Sequence, residues 1–106
     1  MTEIPKDQYD RLKHMIADLV RLQDGYVPTD ADLAGAPVLE GWMWVEVRGH
    51  PCLAGVVMGH PKIVDGHRCV TSTVMAIAND ERWVRTVSRF YRLGRPLSSH
   101  VGGLNG

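Results

Sequence analysis

The chain has 106 residues, 44% of them hydrophobic and 23% charged, which suits a single small core and excludes a wholly disordered chain. Twelve Lys and Arg balance twelve Asp and Glu, so the uniformly basic surface of a general nucleic-acid binder is absent. No run approaches the roughly 18 apolar residues of a membrane helix, and no basic segment followed by an apolar run opens the chain. A cytoplasmic protein with no membrane association is therefore expected, with Cys52 and Cys69 as reduced thiols. The zero sum hides an asymmetry: residues 1–40 carry eight acids and four bases, whereas residues 81–106 carry one acid and five arginines. Either the two ends pack together, or each meets its own partner.

Lys6 to Asp24 reads as an amphipathic helix, with Tyr9, Leu12, Ile16, Leu19 and Gln23 in one stripe that Met15, Val20 and Leu22 widen. Pro5 and Gly25 stand where helix ends place such residues. The stripe is broader than a two-position coiled-coil seam, which predicts a helix that covers its own sheet and a monomeric chain. Thr29, followed by Asp30 and Asp32, predicts a capped short turn of helix.

From Trp42 the period changes to two, predicting a strand through Arg48; one of Trp42 and Trp44 is expected in the core and the other under the N-terminal helix. Gly49-His50-Pro51 and Gly59-His60-Pro61 read as similar turns of a meander around Cys52 to Met58, and Asp65-Gly66 as a hairpin signal. His67 to Ala78 reads as a long strand with a bend at Thr71-Ser72-Thr73. The segment from Trp83 to Tyr91 fits either a helix or a strand. The strand is favoured by its β-branched residues and short hydroxyls, and it would close a hairpin with the strand before it. On that strand Arg85 and Arg89 would share a face with Trp83, Val87 and Tyr91. Leu97 to Gly106, rich in glycine and serine, reads as a flexible tail to a single domain of residues 1–96.

Several short motifs stand along the chain: Pro28-Thr29 with Asp32-Leu33, Ala36-Pro37, Trp42, Leu53-x-Gly55, Gly59-His60-Pro61 with Asp65-Gly66, Thr71-Ser72, and Trp83-x-Arg85-Thr86-x-Ser88-Arg89-x-Tyr91-Arg92-Leu93-Gly94. From about Leu12 to Pro96 the chain thereby resembles a family of small uncharacterised proteins of alphaproteobacteria. The resemblance implies one compact domain in a bacterial cytoplasm and brings no activity with it.

Glu81 to Pro96 is the strongest candidate for a binding surface, since its five arginines are interleaved with Trp83, Phe90 and Tyr91. Arg85, Arg89, Tyr91 and Arg92 are its expected binding residues, with solvated cations paired to the acids of residues 1–40 as the competing explanation. His50-x-Cys52 and His67-x-Cys69 are the metal candidates, because Cys2His2 suits tetrahedral zinc. Their spacing matches no well-known zinc module, so no metal or other cofactor is expected. His60 and His67 flank Asp65 with Cys69 and Ser72 nearby, yet no nucleophile elbow, HExxH or phosphate-binding glycine loop accompanies them. The expected fold is α+β, with the N-terminal helix packed on a small twisted antiparallel sheet or SH3-like barrel of about five strands. The expected function is a non-enzymatic binding or regulatory module with a protein partner. Nucleic-acid binding is the alternative, and a zinc-dependent or hydrolytic enzyme built on His50, Cys52, His67 and Cys69 is the rival.

Overall fold

A computed structural model describes residues 2–97; residues 98–106, which the sequence assigns to the flexible tail, lie outside them. Helix α1 (Lys6–Gln23) begins after Pro5. It ends in a Schellman arrangement, in which Gly25, at φ +97°, donates to Leu22 O (3.0 Å) and the Tyr26 N–H reaches Arg21 O (3.0 Å). Helix α2 (Asp30–Leu33) is a single turn closed by a capping box. The Asp32 N–H donates to Thr29 Oγ1 (3.1 Å) and the Thr29 N–H to the Asp32 carboxylate (2.9 Å).

Six strands follow: β1 (Val38–Val47), β2 (His50–Met58), β3 (Arg68–Val70), β4 (Val74–Ile77), β5 (Trp83–Thr86) and β6 (Phe90–Leu93). They form one sheet in the order β3-β2-β1-β6-β5-β4. The α+β class holds, with three corrections to the expected detail. There are six strands rather than about five, because the long strand expected over His67 to Ala78 is split into β3 and β4 on opposite edges, and because the arginine segment is itself a hairpin. Thr86 makes that turn: its N–H and hydroxyl both donate to Arg89 O (2.9 and 3.1 Å), and its Oγ1 accepts from the Ser88 and Arg89 amides (both 3.2 Å). Short hydroxyls compete for backbone in this way, so the chain reverses where one continuous strand was expected.

The sheet is mixed rather than antiparallel, because β6 returns beside β1 in the same direction, pairing Val38 with Arg92 and Leu39 with Leu93. Nor does it close into a barrel. Its edge strands β3 and β4 are consecutive in the chain, but Thr71 at the bend between them bonds to β2, its N–H donating to Leu53 O (2.8 Å) and its Oγ1 accepting from Leu53 N (3.0 Å).

The first turn also differs in place. Arg48 and Gly49, both at positive φ (51° and 81°), form a two-residue hairpin loop, and His50-Pro51 belongs to β2. Pro51 is tolerated there because β3 pairs with β2 only at residues 54–56. Extra chain in β1 between Glu40 and Met43 breaks the register, with Gly41 at φ +57°.

The core comprises Leu39, Trp42, Leu53, Val57, Cys69, Val84 and Tyr91, with Ile63, Val74, Ile77 and Leu93 packed around them. The Trp42 indole N–H donates to Gly94 O (3.0 Å). Helix α1 lies on the outer face near β5 and β6, where Asp18 meets Arg85. Leu12, Met15, Leu19 and Leu22 are half-buried, while Tyr9, Ile16 and Val20 are exposed. Because the helix sits at that end, it does not cover Trp44, which stays 46% exposed, contrary to the expectation.

Candidate functional site

Alternation along the β5–β6 hairpin sorts the arginine segment by face. Val84 and Tyr91, paired across the two strands, point into the core; Trp83 opposite Arg92, and Arg85 opposite Phe90, point outward. Tyr91 therefore lies on the other side of the sheet from Arg85 and Arg92, and the expected common face is divided.

Each arginine meets a different environment. Arg85 is only 3% exposed: its Nε donates to the Asp18 carboxylate (2.9 Å), its Nη1 to Thr86 O (2.9 Å), and its guanidinium lies over the Phe90 ring (5.4 Å). Burial disfavours its charge and lowers its pKa, while Asp18 offsets the effect. Arg92 directs Nε and Nη2 to Ala36 O (3.0 and 2.7 Å), clamping the chain that leads into β1. Arg82, largely exposed, lies 3.6 Å from Asp30. Arg89, in the turn, has a buried Nε with no hydrogen-bond partner among the described residues. Tyr91 is buried with its hydroxyl 4.0 Å from Cys69 Sγ, and burial followed by the neighbouring thiol raises its pKa.

Beside this outer face two clefts run into one groove. One, of about 330 Å³, is bounded by Val27, Pro28, Asp30 and Leu33 on one side and by Asp80, Arg82, Trp83, Arg92 and Leu93 on the other. The second, of about 590 Å³, lies between Leu19, Leu22 and Tyr26 on the helical side and Met75–Asp80 on the strand side. Val27, Asp80 and Trp83 line both. Val27 is 72% exposed, and the Trp83 ring is held edge-on to Phe90 with centroids 5.7 Å apart. The helical wall is braced by its own contacts: Arg21 lies over the Tyr26 ring (4.1 Å), and the Tyr26 hydroxyl donates to Asp32. The Thr29 amide, and after it the Tyr26 hydroxyl, hold the Asp32 carboxyl below its ordinary pKa.

The groove thus contains Arg92 of the expected binding set and adds Val27, Asp80, Arg82, Trp83 and edge strand β4. Arg82 and Trp83 stood in the sequence segment already singled out. Val27 and Asp80 carried no signal, since only the tertiary fold sets the connector opposite the β4–β5 turn.

The metal and hydrolytic candidates do not converge. Cys69 pairs with Gly55, which places it on the face of Leu53 and Val57, whereas Cys52 is three residues from Gly55 and faces the other way. His50 and His67 are exposed, both cysteines are buried and free of any disulfide, and no group of three or more metal-ligating side chains gathers among the described residues. Ser72 donates instead to Ser88 (3.0 Å). No helix among the described residues is long and apolar enough to cross a membrane.

No curated protein and no solved structure matches the chain. A family model does match, over residues 2–104, and the chain accordingly belongs to the family of unknown function DUF6634.

Proposed function

We propose that this protein is a non-enzymatic binding module that seats an extended segment of a protein partner in the groove between the α1–α2 side and strands β4 and β5. The observation that carries this reading is the groove itself. A half where Leu19, Leu22, Met75 and Ile77 stand among Gln23 and Asn79 runs into a charged half where Arg82 and Arg92 stand across Trp83. Such a surface accepts alternate apolar side chains at one end and a carboxylate at the other, and edge strand β4 forms its wall. The charged half is electrically balanced, since Asp30 and Asp80 accompany its two arginines. That balance favours a polypeptide over a phosphate backbone, which rewards an excess of cations. Two buried thiols outside any disulfide suit a reducing compartment, and the cytoplasm is the proposed location.

The test places a photo-crosslinking residue at Val27, at Met75 or, as a control on the β1–β2 hairpin, at Val47 in the native host. Val27 and Met75 should yield the same discrete polypeptide adduct, Val47 should not, and Trp83→Ala should abolish it. An adduct removed by nuclease would reassign the groove to nucleic acid. Equal labelling from all three positions would reject it as a site.

A further inference from the structure

We propose that Arg89, His60 and Lys62 form a binding site for a tetrahedral oxyanion of the phosphate type, at the end of the core where the 59–67 loop meets the β5–β6 turn. The site is separate from the groove and does not depend on it.

Three observations meet here. First, the Arg89 Nε is buried and without a hydrogen-bond partner, and Arg89 takes part in no ion pair, among the described residues, where Lys6–Asp10, Arg82–Asp30 and Arg85–Asp18 pair. A buried guanidinium N–H without an acceptor is costly, and Arg presents donors in a planar fork that matches an oxyanion. Second, His60 is set as a donor. Its Nδ1 accepts the Lys62 backbone N–H (3.0 Å), which leaves the neutral ring's proton on Nε2. The ring is tilted against the buried Tyr91 ring, with centroids 6.1 Å apart, which keeps it in place. Third, the local charge is positive. Burial, then Arg89, then Lys62 hold the His60 imidazole below its ordinary pKa, and no acid counteracts them. Asp65, the acid of the same loop, accepts from the Gly59 amide (2.7 Å). Two cations, a fixed imidazole N–H and an unpaired guanidinium N–H thus stand about one buried tyrosine ring, a donor-rich neighbourhood to which an anion supplies the acceptors.

Sulfate is the first probe, because it stays fully ionised between pH 5 and 8, so any pH dependence belongs to the protein. Around His60 stand Arg89 and Lys62, with the Tyr91 ring and the Cys69 thiol behind it. The Arg89 Nε–H and His60 ring resonances of the labelled full chain are followed by NMR at constant ionic strength, with chloride as the control. Saturable shifts are expected with sulfate, at least tenfold weaker in Arg89→Ala. Phosphate and phenyl phosphate then separate a free ion, which binds both alike, from a phosphomonoester, which favours the second. Should Arg89→Ala lose its fold, Arg89→Lys, which keeps the charge but not the fork, is expected to bind at least threefold more weakly. A response no different from chloride, or one undiminished in the Arg89 variant, overturns the site.

Discussion

Arg85 owes its position to Asp18, 67 residues away in sequence. Removing one partner of a pair this buried leaves a charge that water cannot reach, so Asp18→Ala should lower unfolding free energy by about 1–3 kcal/mol in urea titrations. Joint replacement by Asp18→Leu and Arg85→Met should recover most of that loss, since hydrophobic isosteres of a buried pair are often neutral. Two glycines differ in the same measurable way. A Cβ at Gly55 would lie 2.8 Å from the Glu40 backbone oxygen and 2.9 Å from Leu39 Cγ in the core, whereas at Gly94 it would meet only the mobile carboxylate of Glu40. Gly55→Ala should therefore cost about 1–3 kcal/mol and Gly94→Ala less than about 1. His60 gives a pH signature without added anion. Because its folded pKa lies below the unfolded value of 6.5, the unfolded chain binds more protons as pH falls. Its contribution to stability should be complete above pH 6.5 and decline as pH drops through the folded pKa. His60→Gln should flatten that part of the pH–stability curve.

Among the elements, α1 divides its apolar stripe. Asp18, Leu19 and Leu22 turn to the sheet side, while Tyr9, Ile16 and Val20 form an adjacent exposed strip. Ile16→Lys and Val20→Lys should change stability by no more than about 0.5 kcal/mol, whereas Leu22→Ala should cost about 1–2 kcal/mol by thermal or chemical denaturation. The β5–β6 hairpin shows where reading by pattern stops. Its strand-forming residues were legible, and so was the presence of Thr86 and Ser88. That Thr86 would close a turn onto Arg89 was not, because the same hydroxyl satisfies itself equally well at the end of a helix or beside a strand. Once the turn exists, alternation sends Tyr91 inward and Arg92 outward, and the expected binding face separates into a groove and a core-end cluster.

At the level of the whole molecule, acids of residues 1–40 meet bases of residues 81–96: Asp18 with Arg85, and Asp30 with Arg82. The two charged ends therefore pack together, the first of the two arrangements that the charge asymmetry allowed. The exposed strip of Tyr9, Ile16 and Val20 falls far short of the roughly 800 Å² per partner of a stable interface. Sedimentation at micromolar concentration should accordingly give a monomer. Metal analysis should find no stoichiometric zinc, since Cys52 and Cys69 face opposite sides of β2 and its partner strand.

Periodicity, caps and turn residues by themselves determined the N-terminal helix, the Thr29 cap, a strand over Trp42 to Val47, the bend at Thr71–Thr73 and the α+β class, because each depends on neighbours within a few residues. Only the tertiary structure decided which arginines are buried. The parallel pairing of β1 with β6 brings residues 54 positions apart into register, and the docking of α1 brings Asp18 onto Arg85, distances over which no local pattern carries information. The same long-range placement opposes the 25–33 connector to the β4–β5 turn and sets His60 beside Tyr91, and so creates both candidate sites from residues that the chain keeps apart.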